Sequence, residues 1–190
     1  MVKVKKLSFV SVLILLSFSV LNMGCGLLHH QVKPEIETSV NEADFPNLNI
    51  PYSISVIEVL QKTNNNIHLC GPHYVNLDDL TVTSAKHLRE ILKKKNVNIN
   101  DHGEKQIILR ISEVNCERHL LTNNFIHTLK LKINAGESIK KEYQSTRRIV
   151  DGWMTTWAIE RIIEDLVYQI LEDPAIVKYL QEKPGSVVIN

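Results

Sequence analysis

The sequence predicts an α+β domain: a mainly antiparallel sheet in the order β-α-β-β-β-α, with two helices packed on one face and a short C-terminal helix. Three observations carry this reading. Apolar residues alternate with polar ones through "KQIILRISEVNCER", "NFIHTLKLKI" and "SIKKEYQSTRRIV", the period of strands with one buried face. Two other stretches repeat apolar residues at three and four, the period of amphipathic helices. Short turn signals between the alternating stretches favour antiparallel neighbours, and helices covering one sheet face make an economical two-layer domain.

The first element is expected at "YSISVIEVL", Tyr52 to Leu60, β-branched and bounded by turn residues. Gln61 to Leu77 reads as a long loop, with three consecutive asparagines and a Gly71-Pro72 turn. In "LTVTSAKHLREILKKKN", Val82, Ala85, Leu88, Ile91 and Leu92 form one helical stripe. A cap is expected among Asp78 to Ser84, and Lys93 to Lys95 suit the negative C-terminal end of that helix. A minor strand is expected at Val97 to Ile99.

In the next strand Ile107, Leu109 and Ile111 share one parity while Val114 and Cys116 take the other, which predicts a bulge near Ser112-Glu113. Phe125, His127, Leu129, Leu131 and Ile133 then line one face of a strand, and "NAGE" turns the chain into a third strand carrying Ile139, Tyr143 and Ile149. The helix expected from Trp153 to Leu171 presents Ile159, Ile162, Ile163, Leu166, Val167, Ile170 and Leu171. Asp173-Pro174 reads as a cap with proline at the first position of a short last helix.

The opening residues have the layout of an export signal. Lys3, Lys5 and Lys6 precede an apolar run from Leu7 to Leu21. As a helix that run rises about 22 Å, short of the roughly 30 Å hydrocarbon slab. Asn22 at −3 suits general signal peptidase badly. "SVLNMGCGLL" instead resembles a bacterial lipoprotein signal, in which a small residue precedes a cysteine that receives diacylglycerol; Gly24 and Cys25 match, whereas Asn22 stands where leucine is usual. The resemblance implies lipidation of Cys25. An uncleaved membrane anchor and a soluble export product are the alternatives. Gly26, rather than aspartate, after the cysteine implies the outer membrane, facing the periplasm.

The expected organisation is a signal peptide at 1–24, a lipid-anchored tether at 25–51, one folded domain at 52–183 and a tail at 184–190. The tether carries Pro34, Pro46 and Pro51 without an apolar period, and its 26 residues after the cysteine would reach about 85 Å if extended. His29 and His30 there read as solvated. Removing the three lysines of residues 1–24 from 22 basic residues leaves 19 against 21 acidic ones, a net charge of −2. That balance argues against nucleic acid as a partner.

No nucleophile elbow, phosphate loop, dinucleotide fingerprint or H-E-x-x-H motif is present. Glu160 and Glu164, one helical turn apart, read as solvating carboxylates, so the expectation is a non-catalytic protein without a cofactor. Two C-x-x-H pairs, Cys70/His73 and Cys116/His119, have ligand types that suit zinc, with His68 as a further candidate. Odd spacing on a strand aims Cys116 and His119 to opposite faces, so no metal is expected. With Cys25 acylated, two thiols remain in an oxidising compartment: Cys70 and Cys116 either bridge or stay separately buried. Trp153, Trp157 and Tyr168 either cover the sheet margin or form a docking surface for a protein partner.

The element order, the lipoprotein-type signal and the ending "IIEDLVYQILEDPAIVKYL" resemble the YajG-type family of uncharacterised bacterial lipoproteins across nearly the whole chain. The resemblance implies an envelope accessory or scaffold acting by contact, with membrane and envelope-protein partners and no catalytic residues. A carrier of a small hydrophobic ligand, using the groove between helices and sheet, is the alternative.

Overall fold

The computed structural model describes residues 30–36, 48–61, 66–119, 121–122 and 124–184. The expected signal peptide, Cys25 and nearly all of the expected tail lie outside these residues. The principal sheet has the order β2-β5-β6-β7, built from β2 (Ile54–Glu58), β5 (Lys105–His119), β6 (Asn124–Ala135) and β7 (Ile139–Ile149). β5, β6 and β7 form an antiparallel meander. β2 joins β5 in parallel, Ile54 beside Lys105, a pairing that requires a crossover.

That crossover contains α1 (Leu77–Lys94), which lies over β2 and β5, while α2 (Thr155–Glu172) lies over β6 and β7. Thus two helices cover one face of a mainly antiparallel sheet. The layer between them is filled: Leu80, Leu88, Leu92, Ile107, Ile111, Leu129, Leu131, Ile159, Ile162, Ile163 and Leu166 are all fully buried. Asp173 opens α3 (Pro174–Gln181), its carboxylate accepting from the Ala175 amide at 2.9 Å and from Lys141 and Tyr143. Burial alone would raise the Asp173 pKa, but these donors outweigh it and the net shift is downward.

The stretch expected to be a loop forms two short strands, β3 (Asn66–His68) and β4 (His73–Asn76). Gly71, with φ +79°, sits in the tight turn between them. Part of the expected tether also folds, as β1 (His30–Gln31) pairs in parallel with β4, and Val32 and Leu48 are buried. Ordered backbone therefore starts at least as early as His30, not near Tyr52. Strands this short show no alternation to read, and their amides find partners only in tertiary context. The expected minor strand at Val97 to Ile99 is reduced to one bridge, Ile54 to Ile99.

Two details of α1 also depart from expectation. Its cap is Asn76, whose side-chain oxygen accepts from the amides of Asp78 and Asp79, so the helix begins earlier. Val82 falls off the buried stripe and is exposed; Leu77, Leu80, Thr81 and Ser84 occupy it instead.

The bulge lies between Ile111 and Glu113, where the phase change placed it. On the other side of β5 the pairing with β2 ends at Leu109, and side chains satisfy both backbone groups of Ile111. The Ile111 amide donates to Thr81 Oγ1 at 3.0 Å, and Gln61 Nε2 donates to the Ile111 carbonyl at 3.2 Å. Thr81→Val keeps the shape but strands a buried N–H. It is expected to destabilise the fold by about 2 kcal/mol, measured by urea unfolding; a variant within experimental error of the parent would refute this role.

Candidate functional site

Beyond the bulge, β5 runs past the end of β2, and the small sheet β1-β4-β3 is tied to this outer half. The tie is covalent: Cys70, at the β3–β4 turn, is bonded to Cys116 on β5, with a Cα–Cα distance of 5.6 Å. Their sulfurs are thereby committed to each other, and the two C-x-x-H pairs do not make a zinc set. Among the described residues no group of three or more metal-ligating side chains is placed to hold an ion. His119 ends β5 in an exposed position.

His127 stands directly across from Cys116 in the β5–β6 ladder. It is fully buried and neither ring nitrogen has a hydrogen-bond partner. Burial, helped by the charge of His73, lowers its pKa to about 4, so the ring is neutral. His73 packs 6.2 Å from His30 between ring centroids. Its own pKa is lowered by burial and by His30, against a hydrogen bond to the Gly152 backbone. That bond brings the β3–β4 turn against Gly152–Met154, a single 3-10 turn leading into α2.

Phe125, Ile149 and Ala158 form a small cluster here, with both cysteines packed against it. Arg118 lies 5.4 Å from the centre of the Phe125 ring. Outside this cluster Leu121, Val150, Trp153, Met154 and Trp157 are exposed, Trp153 by 81% and Val150 by 71%. Tyr168 does not join the tryptophans. It is half-buried and lies eleven residues beyond Trp157, about 16 Å along the helix axis.

A second feature lies between α1 and the N-terminal segment. A cavity of about 320 Å³ is lined by Pro34, Glu35, Ile36, Thr83, Lys86, His87 and Glu90. His87 is 1% exposed with both ring nitrogens unpartnered; burial first, and Lys94 second, lower its pKa to about 4. Glu160, expected as a solvated carboxylate, instead accepts from the Glu35 amide at 3.2 Å and ties this segment to α2. Burial raises its pKa, only partly opposed by that amide. Glu164 pairs with Arg161 at 2.6 Å. This cavity has charged walls and is separate from the helix–sheet groove, which is filled and leaves no room for a hydrophobic ligand.

His87 and His127 are buried titratable groups that the motifs of the sequence do not single out. The sequence carries a signal for each: His87 stands seven residues after Leu80 and four before Ile91, and His127 between Phe125 and Leu129, all apolar.

No family model and no curated relative matches the chain. Among solved structures it is similar to protein XCC0632 from Xanthomonas campestris, described by the family model DUF330. The TM-score is 0.47 at 9% identity, covering 80% of this chain and 93% of that one. It is also similar to a minor lipoprotein from Acinetobacter baumannii, with a TM-score of 0.40 at 12% identity over 63% of this chain and 87% of the other.

Proposed function

We propose that this protein is a bacterial lipoprotein of the cell envelope, held to the periplasmic face of the outer membrane through Cys25, and that it serves as a non-catalytic accessory to another envelope protein. The structural observation that supports this most is the Cys70–Cys116 bond, a covalent link characteristic of exported proteins. It leaves Cys25 as the one thiol of the three outside that bond, at the position where the lipoprotein-type signal requires one. Several acyl chains on that sulfur and its new N-terminus would hold the protein firmly, where a single chain holds only marginally.

The contact role, in preference to a carrier role, draws support from the filled helix–sheet layer, which offers a hydrophobic ligand no room. The YajG-type resemblance points the same way. Intact-mass measurement of protein extracted from its native membrane is expected to show loss of residues 1–24 and addition of diacylglycerol plus an acyl chain. An unmodified thiol, or cleavage elsewhere, would overturn the anchor. Photocrosslinking in the cell from Thr128 and Lys132, on the sheet face opposite the helices, is expected to give one discrete protein adduct; none from either position would remove the accessory role.

A further inference from the structure

The chain is pinned at the end of the sheet that carries the exposed tryptophans. The His30 amide donates to the Pro72 carbonyl at 2.9 Å, and β1 runs parallel to β4 from His73 inward. His30, the first described residue, is therefore placed beside the β3–β4 turn. His73 joins that turn to the Gly152 backbone, with Val150, Trp153 and Met154 on either side of it in sequence. The β5–β6 hairpin lies at the same end, because Arg118, Phe125 and Ile149 are register neighbours across three strands; its tip carries Leu121, fully exposed.

Only Gly26 to His29 separate Cys25 from His30. Five residue steps span at most about 18 Å even when fully extended. A lipid on Cys25 thus holds this end, and not the far end near Lys105 and α3, next to the bilayer. Exposed Trp, Met, Val and Leu side chains so placed have the chemistry of the membrane interface: Trp in particular combines a large apolar ring with one polar N–H.

We propose that this end is a bilayer-contact surface, in which Trp153 and Trp157, with Leu121, Val150 and Met154, sit in the headgroup–acyl boundary of the leaflet that carries the lipid anchor. The proposal rests on acylation of Cys25, and it adds an orientation: the domain stands on this end with its sheet face and α3 turned away from the membrane. A protein docked on the same surface would have to share the narrow gap set by the linker, so lipid is the occupant we commit to.

Trp153 and Trp157 are the two tryptophans of the chain, and intrinsic fluorescence consequently reads this surface alone. The test uses acylated protein, verified by intact mass, in phosphatidylethanolamine–phosphatidylglycerol vesicles with or without bromine on the upper acyl carbons. The expected result is blue-shifted emission, quenched about twofold by the brominated lipid, because rings in the interface lie within contact of those carbons. Equal emission from verified acylated protein in both vesicles overturns the contact surface while leaving the anchor intact. If the mass shows an unmodified thiol, the anchor reading fails. The full chain coupled through Cys25 to a maleimide lipid then gives the same readout, quenching supporting the contact surface and its absence overturning it.

Discussion

Reducing the Cys70–Cys116 bond is expected to lower the melting temperature by about 8–16 °C. The bond closes a loop with a sequence separation of 46, for which the chain-entropy model gives about 4 kcal/mol. In a domain of this size each kcal/mol shifts melting by about 2–4 °C. What the bond holds is the small sheet of β1, β4 and β3, whose strands have two to four residues and could not stand as an independent sheet. Without the bond that sheet remains attached through Ile67, Leu69 and Val75 in the core, so loosening should begin there. Scanning calorimetry with and without a dithiol reductant measures the shift. The Cys70→Ala/Cys116→Ala variant should melt near the reduced protein and ignore the reductant. Equal melting of oxidised and reduced protein would show that the bond is energetically idle.

Acidification should destabilise the protein through His87 by about 3 kcal/mol between pH 7 and pH 4. The unfolded imidazole titrates near 6.5 and the folded one near 4, and each unit of separation corresponds to about 1.4 kcal/mol. The folded pKa is depressed, so over this window the unfolded chain binds the extra proton. Stability is complete above about pH 6.5 and falls as the pH drops toward 4. Burial causes most of the shift. Lys94 adds to it, and the cavity beside the ring places Lys86, Glu35 and Glu90 near the same group. His87→Leu should remove this share of the acid sensitivity and leave stability at pH 7 equal or higher, since two unpartnered buried nitrogens disappear. Urea unfolding of both proteins at pH 7 and pH 4 measures the difference. An equal acid loss in parent and variant would refute the assignment.

Long strands and helices were legible because each repeats its period several times. Ile107 to Cys116 even recorded the bulge as a phase change, and Asp173-Pro174 marked the start of α3. Elements of two to four residues left no such trace. The His30–Gln31 strand is polar and exposed, formed by backbone pairing to β4, and nothing in its side chains announces it. The parallel pairing of β2 with β5 was equally silent, since alternation records which face is buried and not which neighbour is bonded. Pairing of the two cysteines was left open by the sequence. Proximity came from the β3–β4 turn reaching the outer half of β5, a tertiary arrangement. The exposed end was half legible: Trp153 and Trp157 stood out, but Leu121 and Val150 joined them only once the hairpin was placed.

β7 is the outer strand of the sheet, and it carries Lys140, Lys141, Arg147 and Arg148 with one carboxylate, Glu142. Lys141 and Arg147 turn toward the helical layer and are held there by Asp173 and Asp165. A second copy adding itself to this rim would have to oppose like charges and desolvate these ion pairs, the device by which natural sheets discourage polymerisation along a free border. Among the described residues this charged rim therefore disfavours the addition of another strand along β7.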